Sequence, residues 1–140
     1  MKKETSDLQQ ELSDTADLDY FLQANREDFL LESVPEMLTR LLNRKGLSKA
    51  VLAKNSAMSE VYLHQVFSGR RNPSRSRLLC LCFGMGATLE ETQELLRCSG
   101  FATLYPRNRR DAILIYGLLH QLTVFEVNDR LFEPGEDTLC

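Results

Sequence analysis

SKAVLAKNSAMSEVYLHQVFSGRRNPS, residues 48–74, is the stretch whose reading decides the fold. Ser48 opens a short helix that carries Val51 and Leu52 inward. Ala57-Met58-Ser59 makes a tight turn, and Ser59 caps a second helix, EVYLHQVFS, which stops at Gly69. Its inward set is Leu63, Val66 and Phe67, and Val61 is assigned to the core with them. Arg70-Arg71-Asn72-Pro73 turns the chain, and Ser74 caps the next helix.

Working outward, every neighbouring segment also reads as helix. Ser33-Val-Pro-Glu36 is a helix start with a serine cap, proline in the first turn and a glutamate placed to close a capping box. The helix that follows lines up Val34, Met37, Leu38, Leu41 and Leu42 and ends at Gly46. After Ser74 come Leu78, Leu79, Leu81, Cys82 and Met85, with Gly84 and Gly86 expected to break the helix. Thr88-Leu-Glu-Glu91 is a second capping box, leading to Leu95 and Leu96. No alternating apolar run is long enough for a sheet, so the class is all-α. Shifted by 35 residues, 74–96 overlies 109–131, matching Arg75 with Arg110, Leu79 with Leu114, Thr88 with Thr123, Glu91 with Glu126 and Leu96 with Leu131. The match predicts a duplicated helical hairpin, with added helices near 108–120 and 124–132, and Pro106 and Asn108 at the junction. Residues 1–16 are polar and expected to be frayed, before a helix from Asp17 that carries Leu18, Phe21, Leu22, Phe29 and Leu30. Three regions follow: 1–33, an acidic segment; 34–100, a five-helix domain; and 101–140, a helical hairpin with a polar tail.

At 140 residues and 43 % hydrophobic, the chain can bury one sizeable core. Its net charge of −3 hides an uneven distribution. Residues 40–77 hold nine bases, Arg40, Arg44, Lys45, Lys49, Lys54, Arg70, Arg71, Arg75 and Arg77, against the single acid Glu60. The flanks on both sides are acidic. A basic centre of this kind is the footprint of a phosphate-binding surface. No apolar run approaches the ~20 residues of a membrane span, and the N-terminus lacks the apolar stretch of a secretory signal, so a cytoplasmic protein is expected. Cys80, Cys82 and Cys98 read as small buried hydrophobes and Cys140 as a loose thiol. His64 and His120 have no ligand spacing around them, and no catalytic constellation, metal set or cofactor motif is present. An enzyme is not expected.

Residues 48–74 resemble the helix-turn-helix of the phage-repressor and Cro-like family. The resemblance rests on the small Ala53, the Ser59 cap, the Gly69 stop and the Arg70-Arg71-Asn72-Pro73-Ser74 terminator. It extends over 34–100. Two positions depart from the family pattern: Ala57 stands where the turn usually has glycine, and Lys49 where glutamine opens the first helix. The resemblance implies a sequence-specific transcriptional regulator that lays helix 59–68 in the major groove of double-stranded DNA. Carried over by position, Ser59, Glu60, Tyr62, His64 and Gln65 face the bases, with Gln65 suited to adenine and Glu60 to cytosine. Lys49, Arg70, Arg71, Asn72 and Arg75 hold phosphates. The competing reading is a protein-interaction adaptor on the same fold, supported by Ala57, Glu60 and acidic flanks able to take a protein partner. The second hairpin carries an apolar stripe, Ile113, Leu114, Tyr116, Leu118, Val124, Val127 and Leu131, which suggests a homodimer through residues 101–132, with packing inside the chain as the alternative.

Overall fold

The computed structural model describes residues 4–25 and 32–140; Phe29 and Leu30 lie outside them. The described residues are helical and connecting segments, without strands. They divide into two units, Met1–Glu32 and Ser33–Cys140.

In the first unit, α1 (Thr5–Asp14) and α2 (Leu18–Ala24) are joined through Asn25. Its amide donates to Glu11 Oε2 at 2.9 Å and to the Phe21 carbonyl at 3.1 Å. The stretch expected to fray is thus helical from Thr5. Gln and Glu favour helix, and Gln10 bonds Asp14 one turn on at 3.1 Å. α1 buries no side chain, and in α2 Phe21 is buried while Leu18 and Leu22 are exposed.

The second unit holds α3 (Val34–Lys45), α4 (Lys49–Asn55), α5 (Glu60–Phe67), α6 (Arg75–Met85), α7 (Leu89–Cys98), α8 (Arg109–Leu119) and α9 (Val124–Phe132). Serine, threonine or asparagine caps each of these helices: Ser33, Ser48, Ser59, Ser74, Thr88, Asn108 and Thr123. Each cap contributes roughly 1 kcal/mol. Glu36 takes the Ser33 hydroxyl at 3.1 Å. The axis of the unit is α6, where every residue from Leu78 to Met85 is buried, by α3, α4, α7 and α9. Gly84 does not break α6. It lies inside the helix because α4 comes so close that a Cβ there would collide with Ser56 Oγ. The helix ends at Gly86, in the left-handed conformation that glycine adopts freely.

The 35-residue match extends beyond 96 and 131, to 104 and 139. Ala87 N donates to Cys82 O and, 35 residues on, Leu122 N to Gly117 O, each at 2.9 Å. Thr88/Glu91 and Thr123/Glu126 both form complete capping boxes. Gly100 and Gly135 both take positive φ after the second helix of their hairpin. Arg75 Nε holds the Ala102 carbonyl at 2.9 Å, and Arg110 Nε holds the Asp137 carbonyl at 2.8 Å. Gln93 Oε1 accepts from Leu104 N, and Asn128 Oδ1 from Leu139 N. Leu104 and Leu139 are both buried, so the polar tail is a strap with an apolar anchor.

The two hairpins pack on each other, α6 on α9 and α7 on α8. Arg75 of the first reaches Asp111 of the second at 3.3 Å. Arg110, the equivalent of Arg75, reaches Ser76, the equivalent of Asp111, at 3.2 Å. Exchanging the copies converts one contact into the other, which is the signature of a local two-fold axis. Leu114, Leu118, Val124, Val127 and Leu131 are buried within the unit. Each contributes about 1.5–3 kcal/mol of transfer free energy. Of the expected apolar stripe, Ile113 is half-buried and Tyr116 is exposed.

Candidate nucleic-acid interface

α4 packs Leu52 and Ala53 inward and leaves Val51, expected inside, exposed. Ala53, lacking a long side chain, lets the turn fold back: Met58 N donates to its carbonyl at 3.0 Å. Ala57 sits in this turn at φ 56°, the left-handed region that glycine would occupy without strain. The departure from the family pattern is therefore a strained alanine, at roughly 1–2 kcal/mol, and the turn keeps its form.

α5 begins at Ser59, whose Oγ accepts from Tyr62 N at 3.1 Å. Leu63, Val66 and Phe67 anchor it in the core. Val61, His64, Gln65 and Ser68 follow the i, i+3, i+4, i+7 spacing of a single helix face. Val61, placed in the core by sequence, is 70 % exposed. The spacing from His64 and Gln65 carries that information: a residue in phase with them turns away from Leu63 and Val66. Val61, His64, Gln65, Ser68 and Phe67, with Lys49 and Arg70, line a groove of about 500 Å³. Glu60, at the first helical position, is exposed, and Gln65 is half-buried.

The terminator is bonded to the helix it follows. Arg70 N and Arg71 N both donate to the Gln65 carbonyl, at 2.9 and 3.2 Å. Pro73 is buried, so the backbone is pinned while Arg70, Arg71 and Asn72 remain exposed. Tyr62 is half-buried against the core and serves as a platform for cations. The Arg77 guanidinium lies 4.5 Å from its ring centre and that of Arg71 5.6 Å. Lys49 Nζ lies 5.4 Å from the Phe67 ring. Such contacts hold cations near an aromatic face at roughly 0.5–1 kcal/mol each. Arg77, which position-by-position reading does not select, thus lies beside Arg71 on the Tyr62 ring. It sits on α6, and only the fold of the chain brings it to Tyr62.

Arg44, Lys45 and Arg75, three of the basic residues of this stretch, hold partners away from α5. Arg44 and Lys45 bracket Glu91 at 3.0 and 2.9 Å. Burial works against the charge on Glu91. The Thr88 amide, Lys45 and Arg44 outweigh it and hold the carboxyl below its ordinary range. Arg75, expected at a phosphate, is turned to Asp111 and to the carbonyls of Ala102 and Thr103. Asp111 also accepts from Tyr105 N at 3.0 Å, so this buried carboxylate ties the hairpin junction together. Burial pushes the Cys82 thiol up to about 12 and raises that of Cys80, whereas Cys98, expected inside, is exposed.

No helix among the described residues is long and apolar enough to cross a membrane. No curated protein and no solved structure matches the chain. Residues 36–95, which run from α3 into α7, match the family model of a helix-turn-helix domain.

Proposed function

We propose that the chain is a sequence-specific DNA-binding transcriptional regulator of the phage-repressor and Cro-like kind, acting in the cytoplasm without enzymatic activity. One observation carries the reading: Lys49, Arg70, Arg71 and Arg77 are gathered about α5, while the face made by Val61, His64, Gln65 and Ser68 stays open. Phosphates have cations at the rim, and base edges have side chains between them. In this reading α5 lies in the major groove. Gln65 pairs with adenine, Glu60 accepts from a cytosine amino group, and His64 adds a donor to the same strip. Ser59 spends its hydroxyl on the cap and meets DNA by its position at the helix start. Lys49, Arg70, Arg71, Asn72 and Arg77 hold the backbone. Tyr62 acts behind them as the platform for Arg71 and Arg77, and Arg75 serves the fold.

A homodimer through residues 101–132 is not needed in this reading, because most of the apolar stripe that suggested it is spent inside the chain. Selection from random duplexes at two salt concentrations tests the proposal. The expected outcome is one enriched motif with affinity that falls steeply with salt. A chain that enriches no sequence and binds no duplex at low salt overturns it in favour of the protein adaptor.

A further inference from the structure

We infer that the α8–α9 hairpin fills, within one chain, the place that the α6–α7 hairpin of a second copy would take, and that a single chain therefore reads a single, non-palindromic DNA site. The second half of this statement rests on the DNA-binding reading above; the first half does not.

The local two-fold is the starting point. The hairpins meet through equivalent surfaces, Arg75 to Asp111 and Arg110 to Ser76, as two subunits meet across an isologous interface. A hairpin with this surface could in principle pair with the same hairpin of another chain. Two differences between the copies favour pairing within the chain.

The first is steric. The Phe83 ring of α6 lies against Gly117 of α8, where a Cβ would stand 3.0 Å from Phe83 Cε1 and 3.2 Å from Phe83 Cζ. The residue equivalent to Gly117 in the first hairpin is Cys82. A second copy docked by the same two-fold would bring a whole cysteine side chain to the place where a Cβ alone already crowds the Phe83 ring. The second is electrostatic. Arg75 meets a carboxylate at position 111, but would meet only the hydroxyl of Ser76 in a second copy.

Covalent linkage adds to both. The connection from α7 to α8 is short, so the second hairpin is present at an effective concentration on the order of millimolar or above. The surface that a partner would use is closed as a result, with Cys82 and Phe83 buried. Only the first hairpin is preceded by the helices α3, α4 and α5, so the local two-fold carries one recognition helix. Palindromic operators mirror a protein two-fold that carries two.

The test uses the full chain. Sedimentation equilibrium, up to about 100 µM protein, is run alone and with a duplex bearing the motif enriched by random selection. The expected result is the 16.0 kDa monomer, one chain per duplex, and a motif without two-fold symmetry. A dimer of the free chain, or two chains on a palindromic motif, overturns the inference. A monomer that enriches no motif overturns the DNA-binding reading and leaves the pairing of the hairpins supported. The double variant Cys82→Gly/Gly117→Cys moves the gap from the second hairpin to the first. It is expected to self-associate as concentration rises, whereas Cys82→Gly alone stays monomeric. A folded double variant that remains monomeric over the same range overturns the role of position 117 as selector. If the double variant unfolds, the wild-type mass and stoichiometry decide.

Discussion

The Arg77 guanidinium stands 4.5 Å from the centre of the Tyr62 ring, and this contact links α6 to α5. It makes a core-facing aromatic the organiser of two exposed cations, since Arg71 shares the same ring. Tyr62→Phe keeps the ring and is predicted to leave duplex affinity unchanged within twofold. Tyr62→Leu removes the ring, frees both guanidiniums and is predicted to weaken binding to all sequences alike, by roughly 1–2 kcal/mol in total. Titration of specific and random duplexes checks both. A loss confined to one base position would instead make Tyr62 a reader.

Ser56, the C-cap of α4, lies against Gly84 of α6, where a Cβ would collide with its Oγ. Gly84→Ala must push Ser56 and Leu52 aside, and it is predicted to cost about 1–3 kcal/mol in urea unfolding. Ser56 Oγ is buried with no hydrogen-bond partner. Ser56→Ala is therefore predicted to stabilise the fold by up to about 1 kcal/mol. A destabilised Ser56→Ala would show that the hydroxyl is satisfied in solution.

Among the described residues, two non-glycine residues hold left-handed backbone, Ala57 and Gln121, both at φ 56°. Gln121 stands at the position equivalent to Gly86. Ala57→Gly and Gln121→Gly are each predicted to stabilise by about 0.5–1 kcal/mol, the relief of strain being partly offset by the freer unfolded chain. Thermal unfolding of the two variants measures this, and no change in midpoint would mean that neither turn is strained.

Glu91 links α7 to α3 through Arg44 and Lys45. Its carboxyl titrates below the ordinary value of 4.5 in the folded chain, so its contribution to stability is complete above that value. The contribution is lost as pH falls through the lower, folded value. Glu91→Gln is predicted to be less stable than wild type at neutral pH and to converge with it in acid. Parallel stability curves down to pH 3 would contradict the pairing.

Much of this architecture is legible in the sequence because local chemistry and packing agree. Ser48, Ser59, Ser74 and Thr88 announce helix starts and cap them. The hairpin repeat is visible in Arg75/Arg110 and in the paired capping boxes. Other features depend on contacts between distant segments. Gly84 reads as a breaker until α4 is known to cross it. Arg75 reads as a phosphate ligand until Asp111, 36 residues later, is seen beside it. Arg77 reads as one base among nine until α6 brings it to Tyr62. Val61 is different in kind: its phase with His64 and Gln65 is legible in the sequence and places it outside, against its apolar character.

In the proposed function, α5 reads DNA between cations at Lys49, Arg70, Arg71 and Arg77, and Arg75 serves the fold. The slope of log K against log salt measures it most directly. Four phosphate contacts predict a slope near about −3.6, at roughly −0.9 each. Arg70→Gln and Arg71→Gln should each lower its magnitude by about 0.9 while leaving stability within about 0.5 kcal/mol. Arg75→Gln should leave the slope unchanged and cost about 2 kcal/mol of stability, less than the ~3–5 of a fully buried pair. A flat salt dependence, or a slope that responds to Arg75 and not to Arg70 and Arg71, would contradict the account.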